Sequence, residues 1–123
     1  MKFLIKLNKL KLAFITGSTK GIGRSTAITF AKAGWDLILL SRNMELMEKL
    51  KSELLITKSN ISLVKCDLSN PLEIEHCVKR AIKKYRCPSV LINNAGCAFN
   101  GPLVEMDFGQ WEQTIQILSL IHI

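Results

Sequence analysis

The sequence predicts an α/β fold in which helices cover both faces of a doubly wound parallel sheet. Two observations lead to this prediction. Short apolar runs alternate four times with longer segments of helical periodicity, which is typical of parallel strands joined by right-handed helical crossovers. Hydrophobic residues make up 48% of the 123 residues, enough to form a buried core, and no repeat or linker divides the chain. We therefore expect a single domain.

The four short runs have the composition of strands that are buried on both faces, because their apolar residues are nearly continuous. The predicted strands are 12–16, 36–40, 61–66 and 90–93. Each is followed by polar residues or by glycine, where a strand is expected to end.

The predicted helices are 22–32, 44–56, a segment that Pro71 opens, and a segment from about Phe108. Gly34 is suited to end the first helix and Asn43 to cap the second, while Ser69 or Asn70 caps the third. The residues expected to face the sheet are Ile22, Ala27, Phe30 and Ala31, then Leu46, Met47, Leu50 and Leu54, then Ile74, Cys77, Val78, Ala81 and Ile82.

The turn after the first predicted strand is the most informative segment. It reads Thr16-Gly17-Ser18-Thr19-Lys20-Gly21-Ile22-Gly23 and leads into a helix. The N–H groups at a helix start bind anions, and glycines let the backbone approach a pyrophosphate, so this order predicts a dinucleotide site. A plain strand-to-helix turn is the alternative. A P-loop is excluded, because it requires glycine at position 18 and lysine at position 24, where the chain has Ser18 and Arg24.

Together with this turn, three further segments resemble the short-chain dehydrogenase/reductase family. They are the second strand with the Ser41-Arg42 that follows it, Cys66-Asp67-Leu68, and Asn93-Asn94-Ala95-Gly96. The resemblance implies a truncated Rossmann-like sheet of order 3-2-1-4, with the ligand at the carboxyl ends of the strands. We expect residues 1–123 to form one partial dinucleotide-binding domain. Its fourth strand would have an exposed edge, which favours oligomerisation or aggregation.

The residues after the second strand predict NADP(H) rather than NAD as the cofactor. An acidic residue at this point binds a free ribose 2′-hydroxyl, whereas a cation binds a 2′-phosphate. Arg42 follows Ser41 there, and Lys20 supplies a second cation. The resemblance further implies that Asp67 binds adenine. The expected cofactor-binding residues are Gly17, Ser18, Lys20, Gly21, Ile22, Gly23, Ser41, Arg42, Asp67, Leu68, Asn93, Ala95 and Gly96.

No catalytic residue is predicted, because the family's catalytic serine and Tyr-x-x-x-Lys pair have no counterpart. Tyr85 is the only tyrosine, and Ser89 stands where the lysine would be. The family's asparagine seven residues after Trp111 is replaced by Leu118. We expect the NADP(H)-binding part of an oxidoreductase that transfers hydride between nicotinamide and a carbonyl or alcohol substrate, inactive as this chain alone. The alternatives are a non-catalytic NADP(H)-binding module and a non-functional truncated gene product.

Composition argues against several other functions. The net charge of +7 comes largely from a basic extension at 1–11 and from cations over 79–86, near a helix end. Cations there complement the helix dipole, so no nucleic-acid partner is predicted.

No apolar run is long enough for a membrane span. The four cysteines form no C-x-x-C pair, so we predict no metal site, packing roles for Cys66 and Cys97, and the reduced thiols of a cytoplasmic protein.

Overall fold

The computed structural model describes residues 11–96 and 102–120, and within them it does not describe the side chains at position 103 and at 117–120. The basic extension before Lys11, Cys97 and the last three residues lie outside the described part. The predictions made for these segments, and for the side chain of Leu118, therefore stay predictions.

Four strands form one parallel sheet. They are β1 (Leu12–Thr16), β2 (Asp36–Ser41), β3 (Ile61–Lys65) and β4 (Val90–Ile92), in the order β3-β2-β1-β4. Phe14 in β1 pairs with Ile38 of β2 on one side and with Leu91 of β4 on the other. The predicted parallel sheet and its 3-2-1-4 order are confirmed. Within the described residues β4 pairs only with β1, and association through its other edge stays a prediction.

The helices begin at or within one residue of the predicted positions. They are α1 (Gly21–Lys32), α2 (Met44–Glu53), α3 (Pro71–Tyr85) and α4 (Phe108–Leu120). The Oδ1 atom of Asn43 accepts the N–H of Leu46 at 3.0 Å, and that of Asn70 accepts the N–H of Glu73 at 3.3 Å. Asn70, rather than Ser69, therefore caps α3. None of the helices in the described residues is long and apolar enough to cross a membrane.

The prediction that the second helix extends to position 56 is wrong. α2 ends at Glu53, and Leu55–Thr57 form a short 3-10 turn instead. The hydroxyl of Thr57 donates to the carbonyl of Leu54 at 2.6 Å. Because a side-chain bond to a nearby carbonyl competes with the next helical bond, this threonine favours the tighter turn.

The core lies on both faces of the sheet, as predicted. On one face Ala13, Ile15, Leu37 and Leu39 pack against α1 and α2, and on the other Leu12, Phe14, Ile38 and Leu40 pack against α3. All of these side chains are buried. Since neighbouring residues of one strand point to opposite faces, both of which are covered, the strands have continuous apolar sequences.

Two residues of the predicted inward stripes face solvent, so these assignments are wrong. Ile22 is 77% exposed and Ile82 is 41% exposed. The buried residues of these two helices are Gly23, Ala27 and Ala31 in α1 and Cys77 and Ala81 in α3. Each isoleucine is next in sequence to one of these buried residues. One residue corresponds to a rotation of about 100° around the helix axis, which turns the isoleucine side chain away from the sheet. In α1 and α3, small residues rather than the largest apolar ones form the helix surface that approaches the sheet, whereas α2 buries Met47 and Leu50.

Leu39 provides a test of the core, because it is fully buried in the interior strand β2. Leu39→Ala is expected to lower the free energy of unfolding by about 2–5 kcal/mol, since it removes apolar contacts and leaves a cavity. Leu72 is 73% exposed in α3, and Leu72→Ala is expected to change it by less than about 0.5 kcal/mol. Urea unfolding followed by circular dichroism measures both variants. Equal losses would contradict the burial of Leu39.

Candidate functional site

A cleft of about 900 Å³ opens at the carboxyl ends of the strands. Its walls come from the turn after β1, the β2–α2 loop with the first turn of α2, residues 65–68 at the end of β3, and residues 94–96 after β4. Ligands bind at this end of open α/β sheets, where the strand order reverses. The four segments that predicted a dinucleotide site therefore surround one cavity.

The predicted cofactor-binding residues divide into two groups. Those that line the cleft are Gly17, Lys20, Ser41, Arg42, Asp67, Leu68, Ala95 and Gly96. Those that do not line it are Ser18, Gly21, Ile22, Gly23 and Asn93. Ser18 is fully buried, and its hydroxyl has no hydrogen-bond partner among the described residues. The binding role of every residue in both groups stays a prediction.

Close contacts within the turn require glycine at positions 17 and 23. A Cβ at Gly17 would lie 2.7 Å from the Cα of Ala95, and the φ of Gly17 is +61°. A Cβ at Gly23 would lie 2.1 Å from the carbonyl oxygen of Gly17. The start of α1 thus packs directly on the backbone of the turn. Gly21 differs from both, because a Cβ there would meet open space.

Thr16 and Asn94 join the turn to the loop after β4. The hydroxyl of Thr16 accepts the N–H groups of Asn94 and Ala95, each at 3.0 Å. The Nδ2 of Asn94 donates to the carbonyl of Gly17 at 3.0 Å. Asn94 is not among the expected binding residues, although it lies inside the Asn93-Asn94-Ala95-Gly96 motif. Its bonds hold two walls of the cleft together.

Further cleft residues were missed, among them Thr19 and Lys65. Thr19 lines the cleft, and its Oγ1 lies 3.5 Å from the Oγ of Ser41. Lys65 also lines it and is the register partner of Ser41 on the neighbouring strand. Thr19 lies inside the Gly-rich motif and could have been identified there. Lys65 carried no sequence signal, because only strand pairing places it beside the end of β2.

The charged residues around the cleft are mainly basic. Lys20, Arg42 and Lys65 line it, against Glu45 and Asp67. The acidic residue of β2, Asp36, lies at the opposite end of that strand. It forms an ion pair with Arg86 at 3.2 Å. The carboxyl end of β2 therefore presents a hydroxyl and a guanidinium rather than a carboxylate.

The carboxylate of Asp67 is held in a fixed orientation at the rim of the cleft. Its Oδ1 accepts the N–H of Ser69 at 2.9 Å and the hydroxyl of Ser69 at 2.8 Å. These bonds, aided by the charge of Arg42, hold the pKa of Asp67 below its usual range. Neither bond uses Oδ2. At neutral pH this residue is a charged hydrogen-bond acceptor.

The N-terminus of α1 differs from those of the next two helices. The residue that precedes it, Lys20, makes no side-chain capping bond, and the first turn contains no acidic residue. In contrast, α2 and α3 are each capped by an asparagine and have a glutamate in the first turn. The first N–H groups of α1 and its positive dipole end are therefore available to an anion.

Comparison with known proteins identifies the family. A family model described as short chain dehydrogenase matches residues 11–120. The chain belongs to this family of oxidoreductases, the short-chain dehydrogenases/reductases, as the four sequence motifs predicted. It is 35% identical to 3beta-hydroxysteroid dehydrogenase 2 of Eggerthella lenta over 106 residues, which are 85% of this chain and 41% of that protein.

Solved structures give the same result. The bulky-bulky ketone specific alcohol dehydrogenase of Comamonas testosteroni superposes with a TM-score of 0.83 at 28% identity, over 92% of this chain and 45% of that one. An alcohol dehydrogenase of Thermococcus sibiricus, complexed with 5-hydroxy-NADP, superposes at 0.85 with 27% identity, over 90% and 48%. The L-sorbose reductase of Gluconobacter frateurii, complexed with NADPH and L-sorbose, superposes at 0.83 with 26% identity, over 91% and 43%. The chain spans less than half of each of these proteins.

Gly23 tests the packing of the turn. Gly23→Ala is expected to lower the free energy of unfolding by about 1–3 kcal/mol or more, because the new methyl group would overlap backbone that cannot move freely. Gly109→Ala in α4 is the control. Its Cβ would meet only the side chain of Asp107, at 3.2 Å, and alanine is favoured over glycine in a helix by up to about 1 kcal/mol. Thermal or urea unfolding that showed no loss for Gly23→Ala would contradict the close contact.

Proposed function

We propose that this chain binds NADP(H) and forms the cofactor-binding part of an oxidoreductase that transfers hydride between nicotinamide and a carbonyl or alcohol carbon. One observation carries the proposal: at the carboxyl ends of the strands, the cleft brings the Gly-rich turn with its Lys20 together with Arg42. The neighbours solved with NADPH and with 5-hydroxy-NADP support the same choice of cofactor.

The pyrophosphate of the cofactor is assigned to the start of α1. Its first N–H groups have no acceptor within the helix, and no capping side chain competes for them. Glycine at position 21 leaves the space beside the turn open. A negatively charged group there gains hydrogen bonds and a favourable interaction with the helix dipole. The residues present thus fit a phosphate group.

The 2′-phosphate is assigned to Arg42 and Lys20, with Lys65 as a third cation that lines the same cleft. A guanidinium offers two parallel donors to a phosphate, and the ammonium groups add charge. Ser41 stands where an NAD-binding chain of this class has an acidic residue. Since Asp36 is ion-paired at the far end of β2, it does not supply that carboxylate.

The adenine ring is assigned to the rim formed by Asp67 and Leu68. The bonds from Ser69 orient the carboxylate of Asp67 and keep it charged, so that its remaining oxygen accepts a hydrogen bond from the adenine amino group. Leu68 lines the same part of the cleft.

The chain's own residues bind and orient the cofactor rather than transfer a proton. When bound, the nicotinamide supplies or accepts the hydride. A proton donor of the Tyr-x-x-x-Lys type is absent from the 123 residues, since Tyr85 is the only tyrosine and no lysine follows it by four positions. We therefore propose that turnover requires residues beyond this sequence.

Selectivity for the 2′-phosphate is tested with Arg42→Ala. A hydrogen bond to a charged group contributes about 1.5–3 kcal/mol, so the affinity for NADPH is expected to fall roughly 10- to 100-fold. The affinity for NADH should hardly change. Lys49→Ala is the control, because Lys49 is an exposed cation of α2 that does not line the cleft. Calorimetric titrations at one salt concentration measure both cofactors. Equal losses for NADPH and NADH would contradict the assignment.

The proposed lack of turnover is tested separately, with protein already shown to bind NADPH. Oxidation of NADPH is followed by absorbance in the presence of aldehydes and ketones, including L-sorbose and bulky ketones. No rate above the protein-free control is expected, because no proton donor is positioned. A saturable rate that disappears on heat denaturation would overturn this part of the proposal.

A further inference from the structure

The loop from β3 to α3 brings together three side chains with metal-binding atoms. Cys66 directly follows β3, while Glu73 and Cys77 lie four residues apart on one face of α3. The two sulfur atoms and a carboxylate oxygen of Glu73 all lie within 4.8 Å of one another. Both cysteines are buried and Glu73 is half-buried. We propose that Cys66, Glu73 and Cys77 bind one thiophilic divalent cation of the Zn²⁺ type.

The three ligand atoms are near enough to close around a single ion. Zinc binds sulfur at about 2.3 Å and carboxylate oxygen at about 2.0–2.2 Å, so in a tetrahedral site two ligand atoms lie roughly 3.5–3.8 Å apart. The observed atoms lie within 4.8 Å of one another. Side-chain rotations that shorten these separations by up to about 1 Å would bring all three atoms to bonding distance.

Neighbouring groups already orient two of the ligands. The N–H of Asp67 donates to Oε1 of Glu73 at 3.0 Å. The Sγ of Cys77 donates to the carbonyl of Lys65 at 3.4 Å. When Cys77 binds a metal it loses its proton, and this bond to the Lys65 carbonyl is released. Such supporting bonds are typical of metal sites, because they hold the ligands in position.

The charges also balance. Two thiolates and one carboxylate carry three negative charges, which a divalent cation and the guanidinium of Arg80 compensate. The Nη2 of Arg80 lies 3.7 Å from the Sγ of Cys77. A thiol loses its proton when it binds a metal, so binding releases the thiol protons to solvent. Sulfur ligands favour zinc or cadmium over magnesium or calcium.

The test uses a Cys87→Ser/Cys97→Ser background, in which Cys66 and Cys77 are the only thiols. The metal-free, reduced protein is titrated with Cd²⁺ while the thiolate-to-metal absorption in the ultraviolet is recorded. Zn²⁺ is then measured by competition with a chromophoric chelator. We expect one ion per chain, with the absorption of two thiolates. Protein that shows no such absorption would overturn the proposal.

Glu73→Gln identifies the third ligand without emptying the core, because the amide oxygen can still accept the Asp67 N–H. It is expected to weaken Zn²⁺ binding about tenfold or more. Glu75→Gln is the control, since Glu75 is exposed on α3 and is paired with Lys79. Cys66→Ser should abolish the absorption while circular dichroism confirms folding. Unchanged Zn²⁺ affinity in Glu73→Gln, or rapid formation of a Cys66–Cys77 disulfide by reduced protein that binds no metal, would contradict the site.

Discussion

The contact between the turn after β1 and the loop after β4 is the constraint on which the rest of the structure depends. Across it, the backbone N–H of Asn94 donates to the hydroxyl of Thr16 and the side-chain amide of Asn94 donates to the carbonyl of Gly17. Gly23 brings α1 against the same turn at a distance that no side chain allows. Because β1 and β4 are neighbours at the reversal of strand order, this contact sets where the cleft opens and where α1 begins.

The electrostatic character of the cleft follows from that placement. α1 starts at the cleft without a capping side chain or an acidic residue, whereas α2 and α3 have both. The β2–β3 pairing adds Lys65 to the cations of the Gly-rich turn and of the β2 end. An anionic ligand in the cleft would accept hydrogen bonds from the start of α1 and pair with these cations at the same time. Its binding would therefore stabilise the folded conformation of the turn.

The β3–α3 loop connects the cleft to the buried thiols. The backbone N–H of Asp67 is bonded to Glu73, while the side chain of Asp67 is held by Ser69 at the rim. One short loop therefore positions a cleft carboxylate on one side and the Cys66, Glu73 and Cys77 group on the other. The rim and the thiol group therefore share the same short stretch of backbone.

The sequence by itself determined the parallel α/β fold, the strands and the family, because continuous apolar runs, capping asparagines and glycine spacing are local signals. It also identified the residues of four motifs, most of which line the cleft. Only the tertiary structure decided which apolar residues are buried: Ile22 and Ile82 are exposed because neighbouring rows of small residues approach the sheet. Likewise, Lys65 reached the cleft through strand register, and Cys66 met Cys77 through helix packing. Contacts between distant segments depend on how the elements pack, and residue spacing along the chain does not encode them.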